Sequence, residues 1–184
     1  EDGQHLTFVI TLVSTTESQL FTAPPSLSTA GALAFTVGAY RYGTAVFQVL
    51  LVDDCGTARG GVNVSLASTL EIRVAFVNHA PSFVFASGTA TTLEAVSAVA
   101  TTAVGFATSI SRGSPNGNED SQDLTFRLTL VSITDPLLFA AGGSPAISAG
   151  GDLSYTPDAY RSGTAVYTVV LADSGGTDRG GSDA

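Results

Sequence analysis

Two adjacent carboxylates, Asp53 and Asp54, are the residues whose type and spacing most directly suggest chemistry. They end an apolar run and precede Cys55-Gly56, so they lie where a strand enters a Gly-rich turn. A similar segment about 120 residues later keeps the first acid, as Asp173, and has Ser174 in place of the second. We therefore expect Asp53 and Asp173 to cap the turn through hydrogen bonds to the backbone. The alternative is weak calcium binding by Asp53, Asp54 and a nearby acid.

A tyrosine followed by an arginine also occurs twice, as Tyr40-Arg41 and Tyr160-Arg161. Each pair is followed by an Arg-Gly-Gly sequence, at Arg59 and at Arg179. We favour a structural interpretation, in which each arginine pairs with a nearby acid and each tyrosine packs at a corner of the fold. The alternative is an aromatic and cationic patch that binds sugars or the neighbouring repeat.

The tripeptide Asn63-Val64-Ser65 is an acceptor sequence for N-linked glycans, in a Gly-rich loop before a strand. The corresponding residue of the later segment is Asp183, so the acceptor is not common to both. Asn63 is therefore the candidate glycosylation site of this chain.

Residues for catalysis or transition-metal binding are scarce. The single cysteine cannot close an internal disulfide, and two histidines cannot form a typical zinc site. We expect burial or chance substitution at Cys55, and neither His5 nor His79 has the sequence partners for acid–base catalysis. There is no Ser-His-Asp order and no Gly-rich phosphate loop. The sequence therefore predicts no enzymatic activity and no cofactor, with calcium as the less favoured exception.

Composition excludes several classes of protein. Sixteen acidic residues against seven basic ones give a net charge of −9, the opposite of what a nucleic-acid-binding protein needs. A hydrophobic content of 44% with only 12% charged residues excludes an acidic disordered chain. The apolar runs are far shorter than the roughly 20 residues of a transmembrane helix, so no membrane insertion is expected.

An internal repeat organises the whole sequence. Glu1–Phe8 returns as Glu119–Phe126, Ala39–Val46 as Ala159–Val166, and Gly56–Gly61 as Gly176–Gly181. About 32 of about 55 aligned positions are identical, at a period of about 118 to 120 residues. Such a period corresponds to one small domain rather than to a solenoid unit. We expect residues 1–79 to be the C-terminal part of one domain and residues 80–184 to be a second domain lacking its last strand.

The hydrophobic pattern has a period of two, which indicates β-strands. Leu6, Phe8, Ile10 and Leu12 share one face, and the opposite face changes Val9 to Arg127 between the copies. The run Ala45–Val52 is apolar on both faces and predicts a central strand. For Thr91–Val104 we expect a strand or an irregular edge rather than a helix. Strands at this spacing, separated by Gly, Pro, Asp and Ser, predict an antiparallel β-sandwich.

Four motifs recur or stand out along the chain, namely Leu-x-Phe/Tyr-Thr, Gly-Thr-Ala-Val, Asp-x-x-Gly-Thr-x-x-Gly-Gly and Val-Asn-His-Ala-Pro-Ser-Phe. In combination they resemble the Ig-like, cadherin-like tandem repeats of large bacterial and algal cell-surface proteins. The resemblance implies an all-β chain of tandem β-sandwich domains outside the cell. It implies a stalk, adhesin or fibril rather than an enzyme.

The segment Asn78–Phe83 resembles the linker of cadherins, where Asn and Asp oxygens near an Ala-Pro bind calcium. His79 stands where that linker has a carboxylate, which removes the charge that calcium requires. We therefore favour a stiff linker without metal, with Asn78 as the less favoured calcium ligand.

The leading hypothesis is an extracellular structural module whose partners are neighbouring repeats or copies of the same protein, with covalent glycans as a further possibility. The second hypothesis is a module that binds glycans or another cell through loops at one end. For that role Tyr40, Arg41, Tyr160 and Arg161 are the candidate contact residues.

Overall fold

The computed structural model describes residues 3–184, and their regular structure is β-strand apart from single turns of 3₁₀ helix. Every paired set of strands is antiparallel. The predicted all-β class is therefore confirmed, and its sheets are compatible with a β-sandwich. Glu1 and Asp2, which begin the first repeated segment, lie outside the described residues.

The chain divides into two compact units after Phe76. We call the part up to Phe76 unit 1 and Val77–Ala184 unit 2. The sequence analysis places the division after residue 79, and the three intervening residues pack within unit 2. The Ser182 N–H donates a hydrogen bond to the Asn78 carbonyl (3.2 Å), and the His79 N–H donates to Glu119 Oε1 (3.1 Å).

Unit 1 contains five strands, which are β1 (Leu6–Thr15), β2 (Phe21–Leu27), β3 (Leu33–Val37), β4 (Gly43–Asp53) and β5 (Ser68–Val74). Strand β4 lies between β1 and β5 in one sheet, and β2 pairs with β3. The central position predicted for Ala45–Val52 is therefore confirmed. A strand with a neighbour on each side is apolar on both faces when both faces are covered.

Unit 2 contains seven strands, which are β6 (Ser82–Phe85), β7 (Thr101–Ala103), β8 (Ala107–Ser111), β9 (Leu124–Ile133), β10 (Ala146–Ile147), β11 (Leu153–Tyr155) and β12 (Ala165–Asp173). Strand β12 pairs with β9, β11 lies between β10 and β7, and β6 pairs with β8. Within Thr91–Val104 only β7 is regular, so the irregular edge expected there is confirmed.

The same antiparallel strand pair occurs in both units, as β1–β4 and as β9–β12. Leu6 lies opposite Asp53 in unit 1, and Leu124 lies opposite Asp173 in unit 2. The residues predicted to face inward do so in part. Phe126 is buried and Phe8 is half-buried, whereas Leu12 is exposed.

A β-bulge interrupts both strand pairs at the same point. In unit 1 the register shifts between Leu12 and Ser14, so that Val13 is the extra residue. The shift in unit 2 leaves Val131 as the extra residue. A bulge adds local twist to the strand that carries it. The two units therefore share a distortion of the backbone as well as a pairing scheme.

The two units differ in the counterpart of β2. Unit 2 has two additional residues before Ile147, and its chain turns at Ala140–Gly143, where the Gly143 N–H donates to the Ala140 carbonyl (2.8 Å). Gly142 lies in this turn with φ +75°, a conformation that glycine adopts without a Cβ clash. The turn limits β10 to Ala146–Ile147.

The main buried clusters of the two units consist of different residues. The buried core of unit 1 consists of Leu20, Ala45, Phe47 and Ile72. The buried core of unit 2 consists of Ala107, Phe126, Ile147, Leu153 and Leu171. None of these five residues is equivalent to a member of the unit 1 cluster, although Leu138, the counterpart of Leu20, is also buried. The strand that covers each core explains the difference, because β5 supplies Ile72 in unit 1 whereas β8 supplies Ala107 in unit 2.

Candidate functional site

The Tyr-Arg corner precedes β4 in unit 1 and β12 in unit 2. Tyr40 and Tyr160 both lie in the left-handed region, with φ of 58° and 54°. For a bulky residue this conformation costs roughly 1–2 kcal/mol. Tyr160 is 73% exposed and Tyr40 is 40% exposed, so neither ring is enclosed at the corner. The sequence analysis expects packed rings, and the structure places both rings at the surface instead.

The arginines of the corner pair with nearby acids, as expected. Arg41 Nη1 lies 3.5 Å from Glu17 Oε2, and Arg41 also donates a hydrogen bond to Gln19 Oε1. Arg161 Nη1 lies 3.5 Å from Asp135 Oδ2. The pairs hold each corner against the loop after the first strand of its sheet. Partly exposed ion pairs of this kind contribute about 0–1 kcal/mol.

The acidic turns after β4 and β12 are capped as the sequence predicts. Asp53 Oδ1 accepts the Cys55 N–H (2.9 Å), and Asp173 Oδ1 accepts the Gly175 N–H (2.8 Å). Arg59 and Arg179 follow in single turns of 3₁₀ helix, with φ of 59° and 57°. The shared aspartates therefore stabilise a turn, which accounts for their occurrence in both segments.

The change from Asp54 to Ser174 preserves a hydrogen bond. Asp54 Oδ1 accepts the His5 N–H (3.1 Å), and Ser174 Oγ accepts the Asp123 N–H (3.0 Å). Either side chain supplies an oxygen acceptor to the strand that enters the sheet. A hydrogen-bond acceptor is the property that the two units share here, and the second negative charge is not needed for it.

Asn78 is the centre of a buried polar network in unit 2. Its Nδ2 donates to Asp173 Oδ1 (2.8 Å) and to the Ser182 carbonyl (2.7 Å), and its Oδ1 accepts Gln122 Nε2 (2.7 Å). The network brings the first residues of the unit to its last turn. Gly175 belongs to the same cluster, because a Cβ there would overlap Asn78 Oδ1.

Protein groups already engage the three candidate calcium ligands to different degrees. Both Nδ2 hydrogens and the Oδ1 of Asn78 are engaged by protein groups, and Asp53 and Asp54 each accept a backbone N–H. Asp173 Oδ2 is buried without a hydrogen-bond partner, but calcium takes six to eight oxygen ligands. Within residues 3–184 no group of three or more His, Cys, Asp or Glu side chains is placed to hold a metal ion.

Sequence reasoning missed the partner of His79. Glu119 is 1% exposed, and its Oε1 lies 3.0 Å from His79 Nδ1 and accepts the His79 N–H. Its Oε2 accepts the Ser114 N–H (2.7 Å). His79 and Glu119 lie 40 residues apart in the chain. The sequence offered one signal for the importance of Glu119. A glutamate begins both copies of the repeated segment, as Glu1 and as Glu119.

Asn63 lies in the loop between β4 and β5 and is half-buried. Its carbonyl accepts the Asp53 N–H (3.0 Å), and the Ser65 hydroxyl accepts the Leu51 N–H (2.9 Å). Val62, one residue earlier, is strongly exposed. The loop therefore runs along the surface with its backbone tied to the end of β4.

Cys55 is an exposed free thiol, so the burial considered for it in the sequence analysis is wrong. It corresponds to Gly175, whose surroundings in unit 2 have no space for a side chain. The described part of unit 1 has no counterpart of Asn78 at this turn, and a side chain at position 55 points into solvent.

Comparison with protein-family models, with curated proteins and with solved structures finds no match. In the described residues no helix is long and apolar enough to cross a membrane.

Proposed function

We propose that this chain is a structural module of an extracellular filament, stalk or adhesin built from tandem Ig-like, cadherin-like β-sandwich domains. The observation that supports it is the recurrence of one backbone framework in both units. The strand pair, the bulge, the Tyr-Arg corner and the Asp-capped turn all occur twice, at positions about 118 to 120 residues apart.

Such a framework suits a mechanical role. Each unit closes its own hydrogen-bonded strand pairs and its own core, so stability adds from unit to unit along an array. The residues kept between the units are those that define turns and register. A repeated catalytic site would instead keep a converging set of ionisable side chains.

An extracellular location follows from the same proposal. The partners are neighbouring repeats or further copies of the protein, and Asn63 carries an N-linked glycan where the source organism makes them. The surface loop around Asn63 supports this assignment, because an acceptor must be reached by the modifying enzyme.

A second candidate function is adhesion to glycans or to another cell through the Tyr-Arg corners. The observation that favours it is the exposed tyrosine in a left-handed conformation in both units. Backbone strain that is kept at an exposed aromatic residue is typical of binding sites. Arg161 lies beside Tyr160 and adds a cationic group that sugars and acidic ligands both accept.

Electron microscopy of the intact protein tests the leading proposal. The expected result is a thread of similar beads, each of the size of one small domain. A glycan array with the 184-residue chain tests the second candidate, with Tyr160→Ala as the variant. Selective binding that this variant abolishes would favour adhesion, and isolated globular particles would contradict the filament.

A further inference from the structure

The asparagines of the chain differ in their exposure and in the residue that follows them. Asn116 is exposed and precedes Gly117, and no other asparagine of the sequence is followed by glycine. Asn78 is buried, and both Asn63 and Asn118 are half-buried. An asparagine side chain can react with the backbone nitrogen of the next residue, and a Cβ on that residue hinders the approach. Asn116 therefore combines the two features that favour this reaction.

Asn116 and Gly117 lie in an exposed turn between β8 and β9. Pro115, Asn116 and Gly117 are all exposed, and Gly117 has φ +74°. The Gly117 carbonyl accepts the Asp120 N–H (3.2 Å), whereas the Gly117 N–H donates no hydrogen bond within residues 3–184. The nitrogen next to the Asn116 side chain is therefore not held by a protein acceptor in the described part of the chain.

The same turn is connected to the buried interior of unit 2. The Asn116 N–H donates a hydrogen bond to Ser114 Oγ (3.3 Å), and the buried Ser114 donates its own N–H to Glu119 Oε2 (2.7 Å). Glu119 also accepts the His79 N–H. Ser114 and Glu119 lie only five positions apart. A change in the length of the backbone between them therefore acts directly on the hydrogen bonds of a buried carboxylate.

We propose that Asn116 is a site of spontaneous deamidation. The Gly117 nitrogen, after losing its proton to hydroxide or water, attacks Asn116 Cγ, and the side-chain amide nitrogen leaves as ammonia. Water then hydrolyses the resulting succinimide ring at either of its two carbonyl carbons, which gives aspartate or isoaspartate at position 116. No oxidation or reduction takes place, and water is the only reactant that the protein does not supply.

Both products change the turn. Each replaces a neutral amide by a carboxylate, in a chain whose net charge is already −9. Isoaspartate also carries the main chain through the former side chain, which adds one carbon to the backbone between Ser114 and Glu119. Because the Ser114 N–H is bound to Glu119 across this stretch, isoaspartate weakens the buried hydrogen-bond network of unit 2.

The test incubates the full chain at neutral and at mildly alkaline pH and follows each asparagine by peptide mass spectrometry. The expected result is that Asn116 gains the mass difference between an amide and an acid, in two chromatographic forms that correspond to aspartate and isoaspartate. The rate should rise with pH, because the attacking nitrogen must lose its proton. Fragment spectra should show deamidation at Asn63, Asn78 and Asn118 that is at least about tenfold slower.

Two variants test the chemistry and its effect on the buried network. Asn116→Gln keeps a primary amide but needs a larger ring, and Gly117→Ala places a Cβ beside the attacking nitrogen, so each should lower the rate at least about tenfold. Hydrogen exchange at the Ser114 amide should be faster in the separated isoaspartate form and unchanged in Asn116→Gln. Deamidation of Asn116 no faster than that of Asn118, or undiminished in Gly117→Ala, would overturn the proposal. Unchanged exchange at Ser114 in the isoaspartate form would overturn the link to the buried network.

Discussion

Asn78 donates a hydrogen bond of 2.8 Å to Asp173, a residue 95 positions later in the chain. The same amide nitrogen donates to the Ser182 carbonyl, 104 positions away. One side chain thus ties the first residues of unit 2 to its last turn. A residue that reads in the sequence as part of a linker is therefore a structural element of the unit that follows it.

Gly175 and Cys55 provide a matched pair of substitutions for this network. Gly175→Cys should lower the free energy of unfolding of unit 2 by about 2–4 kcal/mol, because its Cβ overlaps Asn78 and displaces buried hydrogen bonds. Cys55→Gly should change the stability of unit 1 by less than about 1 kcal/mol. Denaturant unfolding, monitored by hydrogen exchange in each unit separately, measures both changes in the free energy of unfolding. Equal effects of the two substitutions would contradict the role given to Asn78.

The buried carboxylate of Glu119 should be essential for the stability of unit 2. Glu119→Ala leaves the N–H groups of His79 and Ser114 without acceptors, and we expect a loss of about 3 kcal/mol. Glu94→Ala, at an exposed acid of the same unit, is the control and should cost less than about 0.5 kcal/mol. Thermal unfolding of the full chain checks the difference. A loss at Glu119 no larger than the loss at Glu94 would show that the network is not needed.

The strained corner predicts a substitution that stabilises the protein. Tyr160→Gly should raise the free energy of unfolding by about 0.5–1 kcal/mol, because glycine adopts φ 54° without the Cβ clash and an exposed ring loses little packing. Tyr42→Gly is the control in unit 1 and should destabilise, since its ring packs edge-on against Phe76 at 5.1 Å. Chemical denaturation measures both. A destabilised Tyr160→Gly variant would mean that the ring contributes packing.

Partial burial raises the pKa of Tyr167 above the ordinary tyrosine value of 10.0. The phenol of the folded chain therefore keeps its proton at a pH where the unfolded chain has lost it. The stability that results is present below pH 10.0 and is lost as the pH rises through the folded pKa. Absorbance titration should show a late tyrosine phase that is absent in Tyr167→Phe. A late phase that persists in this variant would assign it to another residue.

The fold class could be predicted from sequence because its signals are local. Strand periodicity is visible in the alternation around Phe8 and in the apolar run Ala45–Val52. The aspartate that caps each turn lies two residues from the N–H that it binds. The compact units divide after Phe76, three residues before the predicted boundary, and Asn78 joins unit 2 through partners about a hundred positions away.

The candidate site was less predictable for the same reason. Glu119 meets His79 only when two distant loops come together, and no spacing in the sequence expresses that contact. The exposed rings at Tyr40 and Tyr160 depend on a left-handed backbone, which aromatic residues rarely adopt. Residue type alone therefore favoured packed tyrosines.

The bulges at Val13 and Val131 affect how the long strand pairs yield under load. When two regularly paired strands are pulled along their length, their register can shift by two residues. The hydrogen bonds then form again with the same side chains facing inward. A β-bulge at a fixed position opposes such a register shift, because its extra residue would then lie opposite a residue that needs a regular partner. The two strands of each pair are then expected to separate together, so the shared bulge predicts one cooperative rupture of each pair under tension.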